Sequence, residues 1–459
     1  MDGTILRETL QAILPAESIE KAAWELGVVQ RERKLDLEKL VISLVLSGGS
    51  DDSGVLADAL RRYRSEAASD IVRGAFYAWL DDRMAGLMER LLASAMEYVS
   101  SLPAHLPGIL AGVDDWVAFD SETVTLRPAL GDVFPATSTE AGVKVHKELS
   151  IGRGAMTGCH FSPAREHDSR HLDTGERYRN MGLLVDLGYV SIERLKACAR
   201  NSVRYVVRLK ENWKPRVNRV FRGEVHGEFF PGADFDVLLA DEVIVLDGKC
   251  VDAEVVIGKG GHSVTARLVM IPGPEEYLIY LTNLPRGTHG PRQVGDLYRV
   301  RWEIESDNKL DKSGARLDRI RATTESSVRI QLCAKLLHSL LVDVLVHRDN
   351  LERVEGNIAR RAPMHRLLLA HAVRCYHWPL LALSLDPTAT DEQWQRLADK
   401  LSSDARDPNW RRRPSVLDRL LGLTAPRGRP RKKKLRDCKP SAAPYRRDFP
   451  QQEAANALN

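Results

Sequence analysis

The sequence predicts an α/β protein built on one mixed sheet, carrying an antiparallel β insertion and flanked by helical regions at both ends. Three observations predict this. Apolar runs of strand length cluster between residues 115 and 210 and alternate there with two helical segments. Short strands separated by Gly, Asp and Pro fill Val217 to Leu284. Helical periodicity dominates residues 1 to 105 and most of the chain after residue 286.

Taken in order, Ile19 to Leu26, Leu35 to Leu46, Val55 to Tyr63 and Ile71 to Tyr98 repeat with helical period, broken at Pro15 and at Gly48-Gly49-Ser50. A Pro/Gly-containing linker, Pro103 to Gly112, ends this region. Asp115 to Asp120 then reads as a short apolar strand ending in a carboxylate. Gly142 to Ile151 alternates Val143 and Val145 with Lys144, His146 and Glu148, the pattern of a half-exposed strand. Gly154 to Phe161 completes a three-strand meander. Leu172 to Asn180 reads as a helix, Gly182 to Asp186 as a fully apolar strand again closed by a carboxylate, Ile192 to Arg200 as a helix and Val203 to Leu209 as another strand. Within the insertion, Phe235 to Leu239, Glu242 to Leu246, Ala253 to Ile257, Ser263 to Met270 and Tyr277 to Leu281 are strands. Ser326 to Asn350 is a leucine-rich helix expected to pack on the far side of the sheet. The divisions that follow are 1–105, 106–216, 217–285, 286–350, 351–425 and 426–459.

Composition excludes more than it assigns. With 459 residues there is room for two or three domains and a large core. A net charge of +4 does not by itself demand a nucleic-acid partner. The six cysteines form no CxxC pair, which argues against a zinc site or a disulfide framework and makes a reducing cytosol the expected compartment. No N-terminal stretch resembles a signal peptide. The most apolar segment, Leu336 to Val346, is interrupted by Ser339 and Asp343 and too short to span a bilayer, so no membrane partner is expected.

The most specific stretch is Leu297 to Lys312, which lacks Gly and Pro and reads as one helix. At ~100° per residue, Tyr298, Arg301, Trp302, Glu305, Lys309 and Lys312 project from one stripe, whereas Glu303 lies ~140° from Tyr298. The bland account is a solvated face with i,i+4 charge pairs. The order Y-x2-R-x3-E-x6-K is more particular than that. It resembles the tyrosine–arginine–glutamate–lysine signature of bacterial DDE insertion-sequence transposases, in which the glutamate is the third metal-binding carboxylate.

The resemblance implies two upstream aspartates at strand ends, and Asp120 and Asp186 stand there; Asp114 and Asp115 precede their strand rather than end it. Asp186-Leu187-Gly188-Tyr189 with Tyr205 to Lys210 resembles the family's second-aspartate motif, and Leu281 to Pro285 matches before the glutamate helix. The first motif departs from the family, since Glu122 stands where a threonine is usual. A meander followed by alternating helix and strand, with acids at two strand ends, is also the pattern of an RNase H-like core, here interrupted by the β insertion.

What the resemblance implies about function is concrete. Asp120, Asp186 and Glu305 would hold two Mg²⁺ ions, with Mn²⁺ as a substitute, for strand cleavage at transposon ends and transfer to target DNA by a cut-and-paste route through a hairpin intermediate. Arg301, Lys309 and Lys312 would contact phosphates, Tyr298 would stack on a base or bond a phosphate, and Lys144 matches a strand lysine of the family. The DNA ends and target are the expected partners, in a homodimeric synaptic complex near the bacterial nucleoid, with residues 1–105 suited to end binding. The alternatives are an RNase H-like nuclease without strand transfer and a catalytically inactive DNA-binding derivative. A separate pointer is Pro426-Arg427-Gly428-Arg429-Pro430-Arg431, which resembles an AT-hook whose arginines enter the minor groove; a basic tail binding any polyanion reads equally well.

Overall fold

The computed structural model describes residues 1–29, 36–49, 54–65, 71–137, 141–222, 233–234, 250–273, 276–356, 362–407 and 415–423. Among them the strands are β1 (Trp116–Thr125), β2 (Gly142–Ser150), β3 (Ala155–Pro163), β4 (Gly182–Leu184), β5 (Arg204–Arg208), β6 (Arg216–Arg222), β7 (Ala233–Asp234), β8 (Val251–Ile257), β9 (Val264–Pro272) and β10 (Tyr277–Thr282). They form one sheet in the order β3-β2-β1-β4-β5-β10-β9-β8-β6-β7. The β1–β3 meander is antiparallel, β4 pairs in parallel with both β1 and β5, and every pairing beyond β5 is antiparallel.

Two expectations change here. The β insertion is not a subdomain set apart. Its last strand, β10, pairs with the otherwise open edge of β5, and β9, β8 and β6 continue the same ladder outward. The segments Phe235 to Leu239 and Glu242 to Leu246 lie outside the described residues. Asp120 does not end its strand: β1 runs on to Thr125, but beyond Ala118 it pairs only with β2, so Asp120 sits where the parallel part of the sheet stops.

The N-terminal helices are α1 (Gly3–Ile13), α2 (Ala16–Glu25), α3 (Leu37–Leu46), α4 (Val55–Ser65), α5 (Arg73–Ala78) and α6 (Asp82–Ser101). The helix expected over Ile71 to Tyr98 is thus two, restarted at Asp81, whose carboxylate accepts from the Arg83 and Met84 amides. Then come α7 (Ile192–Arg200), α8 (Pro291–Val300), α9 (Trp302–Leu310), a π-helical turn over Asp311–Ala315, α10 (Glu325–Glu355), α11 (Arg366–Cys375), α12 (His377–Leu385), α13 (Asp391–Ala405) and α14 (Val416–Leu420). The helix expected over Leu172 to Asn180 is instead two 3₁₀ turns, Asp168–His171 and Glu176–Tyr178. Asp173 diverts the Gly175 amide to its own carboxylate, and Asn180 takes a left-handed φ of 60°.

The helical ends of the chain share one core. Leu6, Leu40, Leu44 and Met88 from the N-terminal helices pack in the same cluster as Leu336, Leu340, Leu369 and Leu401, and with Val143, Val145 and Met156 of the sheet. Residues 1–105 therefore do not bury a separate core. α10 is long and apolar enough to cross a membrane by length and composition, but 94% of its most apolar stretch is buried inside the protein. It packs on β3 with its apolar residues, as expected from its leucines.

Sheet alternation aims the candidate acids. Val117, Phe119, Leu183 and Val185 face one side with α7 residues Leu195 and Cys198. Trp116, Ala118 and Leu184 face the other, packed with Leu297, Val300 and Ile304 of α8 and α9. Asp120 and Asp186 continue that second parity, toward the helix that carries Glu305.

Candidate active site

Each candidate acid comes from a different kind of element. Asp120 lies in β1. Asp186 follows β4 and precedes the 3₁₀ turn Leu187–Tyr189, and its side chain makes no capping hydrogen bond there. Glu305 lies in the first turn of α9. Burial, followed by the nearby Glu305 and Asp186, pushes the Asp120 carboxyl up to about 6, while the Ser121 amide and Arg301 oppose the rise. Asp120 thus senses both of the other acids electrostatically.

The helix expected to be continuous over Leu297 to Lys312 is divided at Arg301. The Arg301 amide bonds to Tyr298 O at 3.1 Å, and the Ile304 amide to Arg301 O at 3.3 Å, so one turn is tightened without leaving the right-handed region. The stripe survives but grades from interior to solvent. Tyr298 and Arg301 are buried, Trp302 and Glu305 are half-buried, and Lys309 and Lys312 are exposed.

That grading corrects two expected contacts. The Tyr298 ring packs 5.0 Å from Tyr280, and burial pushes its phenol up to about 12, so it is not placed to stack on a base. Arg301 is 6% exposed, donates to Glu305 across 2.7 Å and lies close enough to Asp186 and Asp120 to act on both electrostatically. It serves as a counter-charge within the acid group, not as an outward phosphate clamp. Lys144 is also engaged, 2.8 Å from Asp168 and 2.7 Å from Glu166 O. Lys309 and Lys312 remain on the surface, Lys312 with its Nζ 3.4 Å from Glu122 Oε1. Arg427, Arg429 and Arg431 lie outside the described residues.

Glu303 points away from the acids, as its helical phase requires. It turns to the start of α14, where Ser415 and the Leu417 backbone hydrogen-bond it, and burial with nearby Asp418 pushes it up to about 7. Glu122, by contrast, is on the acids' face of β1. It is 3% exposed, and burial pushes it up to about 7 against the opposing Lys147 and Lys312.

Several residues around the acids carry no sequence signal of their own. Asn308, one turn past Glu305, donates to Asp120 Oδ2 at 2.8 Å and ties α9 to β1. Lys147 is the register partner of Asp120 on β2. On the same face of the strand as Val143 and Val145, it is fully buried because helices cover that face. Its ammonium donates to Asp307 Oδ2 at 2.9 Å and Asp311 Oδ2 at 2.5 Å. Arg366 of α11 binds Asp307, Asp311 and Asp343 from the opposite side, the Asp311 contact at 2.8 Å. Two cations and three acids thus lock α9 and its π-helical turn against β2, α10 and α11.

Beside this group lies a second cluster. His146 of β2, His160 of β3 and His171 of the loop bring ring nitrogens within 4.8 Å of one another. Their ring centroids are 4.0 to 4.8 Å apart.

Residues 112–341 match the family model described as transposase DDE domain. The chain is 26% identical over 250 residues to the putative transposase InsL of insertion sequence element IS186A from Escherichia coli K12, a match covering 46% of this chain and 64% of that protein. The transposase of IS421 from Escherichia coli matches to the same extent. The transposase of IS1151 from Clostridium perfringens is 18% identical over 379 residues, covering 74% of this chain and 80% of that protein. The structure also aligns with a piggyBac transposase from a synaptic complex with hairpin DNA, at a TM-score of 0.44 and 12% identity, covering 90% and 89% of the two chains.

Proposed function

We propose, since the chain belongs to the transposase DDE domain family, that it cleaves DNA at the ends of an insertion sequence and joins the freed 3′ ends to target DNA, with Asp120, Asp186 and Glu305 as its metal-binding acids. The observation that carries this reading is the approach of two further acids to a buried one: burial, followed by Glu305 and Asp186, pushes the Asp120 carboxyl up to about 6. A buried carboxylate faced by two others calls for a cation.

An all-oxygen set of three carboxylates suits Mg²⁺, with Mn²⁺ as a substitute, better than softer ions. Asp120, Asp186 and Glu305 would hold such a divalent pair, which when bound would supply a lowered pKa for the attacking water or 3′-hydroxyl and neutralisation of the leaving oxyanion. The chain's own residues prepare that geometry. Asn308 fixes the orientation of Asp120, and Arg301 holds Glu305 while balancing the acids' charge. Lys309 and Lys312, exposed at the solvent end of the stripe, would meet DNA phosphates in this reading. In this reading β1 to β5 are an RNase H-like core, and β6 to β9 extend its sheet. Two such chains would hold the two ends in a synaptic dimer.

The test is a cleavage and joining assay on labelled duplexes carrying the element's terminal inverted repeats, with target DNA and Mg²⁺. Nicked ends and joined products are expected, both lost by at least ~10³-fold in Asp186→Asn and Glu305→Gln. Cleavage that survives these substitutions sinks the assignment. Cleavage without joined products favours the nuclease alternative.

A further inference from the structure

The three-histidine cluster belongs to none of the chemistry above, and its construction is that of a ligand site. We propose that His146, His160 and His171 form a second, structural metal site that binds one zinc-class divalent ion through imidazole nitrogens, with Glu166 as the neighbouring carboxylate.

The geometry is the first argument. The three residues come from β2, β3 and the 3₁₀ turn Asp168–His171, and they bring one ligand nitrogen each into a space 4.8 Å across. Tetrahedral Zn–N bonds of ~2.0–2.1 Å set ligand nitrogens ~3.3 Å apart, so the stacked His146 and His160 rings would turn toward a common ion on binding it. Glu166 Oε2 is already 3.1 Å from His171 Nε2.

Partner accounting is the second argument. His146 is 97% buried by its 3% exposure; Ser162 Oγ lies 2.9 Å from its Nε2, but its Nδ1 is buried with no hydrogen-bond partner. A buried ring nitrogen of this kind is costly to the fold unless something binds it. A metal-bound histidine has its other nitrogen held by a hydrogen-bond acceptor, a place that Ser162 Oγ takes here.

The donor chemistry is the third argument. The donor set is nitrogen-rich, which favours zinc over the oxygen-seeking Mg²⁺ of the acid site.

Such an ion would pin the loop after β3 to the sheet next to the acids. Asp168, three residues before His171, hydrogen-bonds to Ser121 and acts on Tyr189, and both of these flank the acid group. The site is thus a staple for the wall of the candidate active site, with no part in strand chemistry.

The experiment uses the full chain, stripped with chelator and titrated with Zn²⁺ and Co²⁺. Wild type is expected to take up one Co²⁺ per chain with visible ligand-field absorption, to retain one Zn²⁺ by elemental analysis after gel filtration, and to melt at least ~3 °C higher with Zn²⁺. His160→Gln and His171→Gln should lose all three responses while keeping the wild-type circular dichroism spectrum. An Asp120→Asn, Asp186→Asn, Glu305→Gln triple variant should keep them, which separates this site from the acids. Wild-type protein that shows no Co²⁺ absorption and no zinc-dependent melting shift overturns the proposal, and needs no variant to do so. Responses unchanged in the histidine variants, or lost in the acid variant, overturn it equally.

Discussion

Replacing Lys147 with Met should destabilise the protein more than almost any other single polar change. The ammonium is fully enclosed and makes two hydrogen bonds, at 2.9 and 2.5 Å, to Asp307 and Asp311. Burial opposes its charge, yet the two aspartates outweigh that and raise its affinity for the proton. Removing it leaves Arg366 alone to balance Asp307 and Asp311. Losing one partner of a buried ion pair costs ~3–5 kcal/mol, because the remaining charge is stranded in a medium that cannot solvate it. Asp343 should behave differently. Burial, followed by Asp307 and Asp311 and opposed by Arg366 and Lys147, raises its carboxyl well above the usual range, so its charged form is disfavoured where it sits. Asp343→Asn should therefore cost no more than about 1 kcal/mol. Adding Asp311→Asn to Lys147→Met removes the stranded charge and should recover part of the loss. Urea unfolding followed by circular dichroism measures all three. A Lys147→Met loss below ~1 kcal/mol, or equal losses in Lys147→Met and Asp343→Asn, refutes the charge count.

Three further outcomes are expected. Asn308→Ala removes the hydrogen bond to Asp120 Oδ2 and should slow single-turnover DNA cleavage ~10-fold, without weakening DNA binding; an unchanged rate shows that Asp120 is oriented without it. His338 and His347 are held neutral in the fold, first by burial, each lowered from 6.5 to about 4. The unfolded chain takes up these protons first, so stability should be flat above pH 6.5 and fall as pH drops toward 4, by up to about 3 kcal/mol per histidine; a His338→Met variant with an equally steep decline refutes this. In Gly182→Ala the new Cβ would lie 2.3 Å from the Trp116 ring, which is itself fixed by an indole bond to Leu110 O, so the melting temperature should fall by the equivalent of ~1–3 kcal/mol.

The sequence exposed the parts of this molecule whose signals are local. Ile192–Arg200 is a helix of the expected extent, and β2, β3, β5, β8, β9 and β10 fall within a few residues of their apolar runs. Phase alone separated Glu305 from Glu303, because a helix fixes direction residue by residue. What stayed hidden depends on contacts between distant segments. Lys147 gave no sign of its partners, since the acids that enclose it lie 160 and 164 positions later. Arg301 and Tyr298 looked like outward contacts because composition does not show that a tightened turn and the Tyr280 ring take them inside. Nor does an apolar strand pattern show which edge it will join, so the insertion read as a separate unit. The three histidines were invisible for the same reason: 25 positions span them without a motif, and only strand register brings His146 opposite His160.

The buried charge network explains why the acid-bearing helix can be trusted to hold its position. Well-packed apolar side chains would stabilise the fold as well or better than two cations among three acids, so stability alone gives no reason for such a group. Its members are not scattered. Asp307, Asn308 and Asp311 occupy the turns just after Glu305, and each is bound to something that does not belong to α9: Lys147 on β2, Asp120 on β1, Arg366 on α11. An apolar contact tolerates sliding, whereas these bonds break within about half an ångström of misplacement. The result is a helix whose rotation and height relative to β1 are fixed at three points within six residues of Glu305. A metal-binding carboxylate set delivered by separate elements requires that kind of placement, because its donors must converge without any covalent link between them.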